Sequence, residues 1–212
     1  MYKTKILITI DRQKGSGGDY LGRRLAEKLN ISYYDDEIVR EAAKELNSPV
    51  EELQALDEKH SSLLMSIFLS AQGTVRYYPE LDVVTDHKAY NAESNIVLKV
   101  ASEKSAVIIG RAASYLLRGN PRHVSIFLHA DMDIRVKRTQ ELNRISEEEA
   151  IKLIQKTDKQ RLRYYKEFAG MDMYNSCNYD LTIDTGKLGF EKSETLILDF
   201  LEKIYGNQLN WL

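Results

Sequence analysis

Runs of consecutive apolar residues alternate along this chain with stretches whose apolar positions recur every three or four residues. The first run, "KILITI" at 5–10, lacks polar alternation, as expected of a strand buried on both faces. Four more strands are predicted from "ISYY" at 31–34, "SAVIIG" at 105–110, "HVSIFLHA" at 123–130 and "DLTIDT" at 180–185. Helical spacing fills the intervals. Leu21, Leu25, Ala26 and Leu29 share a face of a helix over 20–29. "DDEIVREAAKEL" at 35–46 reads as a helix with Asp35 or Asp36 as N-cap and acids in its first turn. "SPVEELQALDEKH" at 48–60 starts another, with Ser48 as N-cap and Pro49 in the first helical position. Helices are also predicted over 91–103, 133–142, 146–168 and 190–205. The third of these opens with Ser146 and Glu149 in capping-box spacing. Residues 61–71 are apolar enough to be helical. Residues 72–90 show no clear period, contain Gly73 and Pro79, and predict a loop.

Strands alternating with helices point to an α/β fold with a mainly parallel sheet. A length of 212 residues suits a single domain spanning 1–212. Residues 47–90 then form an insertion between the second and third core strands, leaving 1–46 and 91–212 as core.

Composition narrows the function classes. Thirty basic against thirty-two acidic residues give a formal charge of −2. That balance removes any global argument for nucleic acid or an acidic membrane as partner, so neither is expected. One cysteine, Cys177, permits no internal disulfide and no cysteine-rich metal site. His60, His87, His123 and His129 show no zinc-binding spacing. No apolar stretch approaches the roughly 20 residues needed to span a bilayer. "MYKTKILITI" is too short in its apolar part for a signal peptide. The expected setting is cytoplasmic. Oligomeric state is not legible; Trp211 and Leu212 would dock on a neighbour or fray.

The chemistry concentrates between the first strand and first helix, in "RQKGSGGDY". Glycines let main-chain N–H groups crowd an anion, and the following helix adds its positive end. A Walker A loop reads G-x-x-x-x-G-K-[ST]. With Gly17 as its second glycine, Arg12 takes the place of the first, Gly18 that of the lysine and Asp19 that of the Ser/Thr. The stretch is therefore either a bare strand-to-helix turn or a phosphate site whose cation comes from elsewhere, from Arg12 or Lys14. Asp19 would hold Mg²⁺ as a hard oxygen ligand, or simply act as an acid in the helix's first turn.

Taken together, "ITIDRQKGSGGDYLGRRLAEKL", "YYDDEI", "VIIGRAASYLL", "ISEEEAIKLIQKTDKQRLRYYKEFAG" and "NYDLTIDTGKLGFEKS" resemble, in order, the blocks of the cytidylate kinase-like family. The resemblance implies a P-loop NTPase, nucleoside monophosphate kinase-like three-layer fold. It has a parallel five-stranded sheet, a monophosphate-binding insertion and a lid over about 143–175. It implies ATP and Mg²⁺ as cofactors and CMP or dCMP as the small-molecule acceptor. Lys14, Gly15, Ser16, Gly17, Gly18, Asp19 and Tyr20 would form the nucleotide phosphate loop. Arg111, after Gly110, matches the family's monophosphate arginine. Asp35 matches the aspartate ending the second strand. Asp36 stands where cytidylate kinase has a serine, and Ala112 where it has an aspartate. Asp158 aligns within the lid, with Arg161 and Arg163 in the region of its arginines. Loops without the lysine recur in this subfamily, so a kinase fold that binds nucleotide or phosphate as a regulatory module is the alternative.

Phosphoryl transfer needs a phosphate cradle, a metal site and several cations, arginine being favoured for its bidentate fork. Arg111 follows a core strand at the edge where ligands gather in open α/β sheets. Arg135 and Arg138 share one helix face and are cofactor-binding candidates. Arg161 stands with Lys159 and Arg163 in a run whose members partly face solvent. Asp158 would orient an arginine or a water, or pair with Arg161 one turn on. In the insertion, Arg76, Tyr77 and Tyr78 are candidates for monophosphate contact or base stacking.

Overall fold

The computed structural model describes residues 5–50 and 86–206. A five-stranded sheet in the order β2-β3-β1-β4-β5 lies at its centre. The strands are β1 (Leu7–Arg12), β2 (Ser32–Tyr34), β3 (Ala106–Ile109), β4 (His123–His129) and β5 (Leu181–Asp184). Every neighbouring pair is parallel, so each connection must cross a face of the sheet, and helices provide the crossings. They are α1 (Gly18–Lys28), α2 (Asp36–Glu45), α3 (Asp86–Glu103), α4 (Ala113–Leu116), α5 (Met132–Asn143), α6 (Glu147–Tyr164) and α7 (Thr185–Tyr205).

The apolar runs are buried on both faces, as parallel strands require. Leu7, Ala106 and Ile108 pack on Ile38 and Val39 of α2 and Val97 of α3. Ile8, Ile10, Val107, Ile109 and Ile126 face the other way, onto Leu21 and Leu25 of α1 and Ile197 and Leu201 of α7. Three layers result. Helices α5 and α6 pack on each other through Val136, Ala150 and Ile154.

Strand lengths create the crevice. Ile10 pairs with Ile109, the last residue of β3. Asp11 and Arg12 continue beside β4 alone, with Arg12 opposite Leu128. Consecutive strands β3 and β4 lie on opposite sides of β1, so the carboxyl end of β1 is the point where such sheets hold ligands.

Local departures from the sequence pattern have physical causes. Helix α3 begins at Asp86 rather than 91. Ala89 is buried in the core and Tyr90 stacks on Phe168 at 4.4 Å, so these two residues of the expected loop have partners the local pattern does not reveal. The capping box at Ser146 and Glu149 forms as expected. The helix it opens, however, becomes a π-turn at Tyr165–Ala169, closed by left-handed Gly170. Helix α7 starts at Thr185, five residues early, because the Asp184 carboxylate accepts the Gly186 and Lys187 N–H groups. It breaks at Gly189 (φ 73°) and resumes. Asp35 occupies the N-cap position of α2 without capping it; its carboxylate serves the site instead. The expected helices over 48–60 and 61–71 fall, beyond Val50, outside the described residues, as do Arg76, Tyr77, Tyr78, Trp211 and Leu212.

Candidate active site

Five residues join β1 to α1. Gly15 and Gly17 have φ of 84° and 86°, the left-handed region where glycine alone is unstrained. Ser16 is buried, its hydroxyl donating to the Gln13 carbonyl at 2.8 Å. The N-terminal end of α1 opens onto this loop, with its unpaired amides and positive dipole.

Arg12 reaches across the loop's far side. Its guanidinium lies 3.3 Å from an Asp19 carboxylate oxygen and 3.6 Å from one of Asp35. Burial acts to raise the Asp19 carboxyl, but Arg12, then Arg161 and Lys14, outweigh it and hold it below the ordinary range. Asp35 ends above its ordinary value, because burial, with Asp19 and Asp36 adding repulsion, exceeds the pull of Arg12.

Beyond β3 the chain turns through Arg111 and Ala112, both left-handed at φ 58° and 49°. Each such conformation in a residue with a side chain is strained, by roughly 1–3 kcal/mol, and such strain gathers at working sites. Arg111 Nη1 meets the buried Glu93 of α3 at 3.3 Å, and Glu93 also accepts the Tyr164 hydroxyl at 2.8 Å. Arg111 is thereby held at the crevice through Glu93, which Tyr164 in turn fixes.

Helices α5 and α6 supply the opposite wall. Asp158 does not pair with Arg161 one turn on. Its carboxylate accepts the Lys14 main-chain N–H at 2.7 Å and holds Arg135 Nη1 at 2.5 Å. Arg135 in turn donates to the Lys14 carbonyl at 3.3 Å. The buried pair thus grips the loop's main chain. Arg161 instead donates to the Arg12 carbonyl at 2.9 Å. Burial, then the neighbouring Arg12 guanidinium, pull Arg161 down to about 9. Lys14 is lowered for the same reasons, by burial and then by Arg161.

Arg138 grips the start of α7, donating to the Thr185 hydroxyl at 3.0 Å and its carbonyl at 2.9 Å. Its guanidinium stacks 4.2 Å from the centre of the Phe190 ring, which lies 4.9 Å from that of Tyr20.

Two clefts meet here. One, of about 430 Å³, is bordered by Asp11, Asp35, Asp36, Arg111 and the α6 residues Thr157 and Tyr164. The other, of about 390 Å³, is bordered by Gly15, Gly17, Gly18, Tyr20, Arg138 and Phe190. Arg12, Lys14, Asp19 and Arg161 line both. Three cations and a carboxylate therefore mark the junction.

Most candidates from the sequence converge on this junction. Arg135 and Asp158 lie behind the loop rather than in either cleft wall. Arg163 turns outward to Glu167 at 3.7 Å. The sequence assigns no role to Glu93, Tyr164, Thr185 or Phe190; the last three lie inside blocks that carry the family resemblance, Glu93 outside them. Glu93 had one signal, a carboxylate on the apolar face set by Ala89, Ala92, Ile96 and Val97.

Among the described residues no group of three or more His, Cys, Asp or Glu could hold a metal by itself. The junction offers instead two carboxylates, Asp19 and Asp35, gathered about Arg12. That set fits Mg²⁺, which takes one or two protein carboxylates and completes its shell with phosphates and water.

The sequence profile described as the cytidylate kinase-like family matches residues 7–187. Cytidylate kinase from Methanopyrus kandleri is 27% identical over 206 residues, covering 93% of each chain. A solved but uncharacterized protein from Eubacterium ventriosum is 27% identical, with a TM-score of 0.68 over 93% of this chain and 99% of its own. Shikimate kinase from Acinetobacter baumannii, in complex with shikimate, shares the fold alone, at 16% identity and a TM-score of 0.51 over 95% of each chain. The three-layer, five-stranded parallel arrangement is that of the P-loop kinases.

Proposed function

This chain belongs to the cytidylate kinase-like family, and on that footing we propose that it transfers the γ-phosphoryl group of ATP to a nucleoside monophosphate, CMP or dCMP. One observation carries the proposal: two clefts that share Arg12, Lys14, Asp19 and Arg161. A reaction between two bound nucleotides needs two compartments touching at one charged point, and this geometry supplies them.

ATP belongs in the cleft of Phe190 and Arg138. Its base would lie against that aromatic and guanidinium surface, and its phosphates over residues 14–19. The acceptor belongs in the other cleft, its phosphate facing Arg111. Asp35 and Asp36 offer acceptors for amino and hydroxyl hydrogens, and the naming of relatives such as the Methanopyrus kandleri protein supports a cytidine. Transfer asks for little covalent work; positioning and charge neutralisation dominate. Lys14 and Arg161 stand where charge moves between the compartments. Helix α6 acts as the lid, tied to the loop by Asp158 and to β1 by Arg161. Asp19, the more exposed of the two carboxylates, would hold Mg²⁺ while Asp35 keeps its place beside Arg12; the ion when bound would neutralise phosphate charge and orient the donor. No helix among the described residues is long and apolar enough to cross a membrane, and the proposed setting is the cytoplasm.

The test is a thermal-shift screen of nucleotides with and without Mg²⁺, followed by ADP formation against CMP, dCMP, UMP, AMP and GMP. The proposal expects ADP only with Mg²⁺ and fastest with CMP or dCMP. Nucleotide binding with no turnover on any acceptor would favour a regulatory module instead.

A further inference from the structure

The loop lacks the lysine that comes after the last glycine in Walker A, and the structure shows what fills the space. Gly18 stands at that position with ordinary helical backbone, so no unusual dihedral demands a glycine there. A Cβ on Gly18 would come 2.7 Å from Cγ of Arg12, 3.0 Å from its Cβ and 3.1 Å from its Cδ. The stem of Arg12 thus crosses the spot where a lysine side chain would begin. Farther out, a Cβ on Gly110 would lie 2.5 Å from Arg12 Nη1. The arginine passes between two glycines, one on each side of the crevice, and its guanidinium emerges at the junction of the clefts. The Lys14 side chain also reaches that junction, but it occupies no vacated position.

We propose that Arg12 delivers from the end of β1 the phosphate-gripping cation that a Walker A loop delivers from its helix, and that Gly18 is small because Arg12 runs over it. Loss of the lysine and presence of the arginine are then one exchange: the charge stays and its root moves from helix to strand. A guanidinium also offers a bidentate grip that an ammonium lacks. The ligand is the β- and γ-phosphates of the donor nucleotide. Asp19 and Asp35 hold the guanidinium in place before nucleotide arrives. This inference rests on the proposed reaction only in placing ATP's phosphates on the loop.

The exchange predicts a reciprocal rescue, read by calorimetry with ATP and Mg²⁺. Arg12→Gln, which keeps the stem to Cδ and a polar end but loses the guanidinium and its charge, should weaken ATP binding by about tenfold or more, as expected for a lost charge-assisted hydrogen bond. Gly18→Lys alone should also weaken it, since the new stem collides with Arg12. The double variant Arg12→Ala/Gly18→Lys should bind ATP several-fold tighter than Arg12→Ala. A merely structural arginine gives no such rescue. Unchanged affinity in Arg12→Gln, or a double variant no tighter than Arg12→Ala, overturns the inference. If Arg12→Ala does not fold, Arg12→Lys against Arg12→Gln decides, and equal affinities overturn it. Wild-type protein that binds ATP without turnover removes the proposed reaction but leaves this comparison intact. Wild-type protein that binds no ATP sinks both.

Discussion

Asp158 on α6 accepts the main-chain N–H of Lys14 at 2.7 Å while holding Arg135 at 2.5 Å. One carboxylate thus fixes the backbone of the β1–α1 loop to two helices. Removing it strands the Arg135 guanidinium in a buried setting. Asp158→Ala should destabilise the fold by about 3–5 kcal/mol, the usual result of breaking a buried pair from one side. Replacing both partners, as Asp158→Ala/Arg135→Met, should recover part of that loss. Urea unfolding measures both; equal stability of wild type and Asp158→Ala would remove this role.

Phe190 and Arg138 form the surface assigned to the ATP base. Phe190→Ala should raise KM for ATP by about tenfold, in line with roughly 1–3 kcal/mol for a base stacked on an aromatic ring. Binding lost equally in ground and transition states leaves kcat nearly unchanged. Steady-state kinetics separates the two constants, and an unchanged KM would place the base elsewhere.

The lowered lysine makes binding pH-dependent. Burial and then Arg161 hold the Lys14 ammonium below the ordinary lysine range, whereas the Arg161 guanidinium, though also lowered, stays charged. As pH rises toward the ordinary lysine range the free protein sheds the Lys14 proton. Bound phosphate favours the charged form and raises its pKa again. ATP affinity should therefore fall as pH rises toward that range, and binding there should take up protons. Calorimetry in two buffers of different ionisation enthalpy reads the uptake directly; identical heats would contradict it.

Tyr165 donates to the buried Asp11 carboxylate at 2.5 Å, and Ser114 donates to the same oxygen at 2.6 Å. Burial holds Asp11 above its ordinary value against the pull of both bonds, Ser114 first. Tyr165→Phe leaves that oxygen one donor short and should cost about 1–3 kcal/mol. The denaturant midpoint should drop with its slope unchanged. An unaltered midpoint would mean that the π-turn does not anchor α6 to β1.

The sheet was legible because parallel strands buried on two faces leave uninterrupted apolar runs, and "KILITI", "SAVIIG" and "HVSIFLHA" have no other comfortable fate. The glycine loop was legible from its place between strand and helix. What stayed hidden depended on contacts distant in sequence. Asp158 looks like a partner for Arg161 because local spacing favours that pair, yet Arg135 on the preceding helix wins it. Phe190 lies just past a helix break at Gly189 that no local pattern announces. Gly18 looks like a defect in a motif until Arg12 is seen to lie across it.

The most direct measurement tracks the phosphoryl group itself. Protein is mixed with Mg²⁺, CMP and ATP labelled at the γ-phosphate, and the products are separated. The account predicts that label passes to cytidine diphosphate in step with ADP formation. Label retained in ATP, or released only as inorganic phosphate, by folded protein that binds both nucleotides would contradict it.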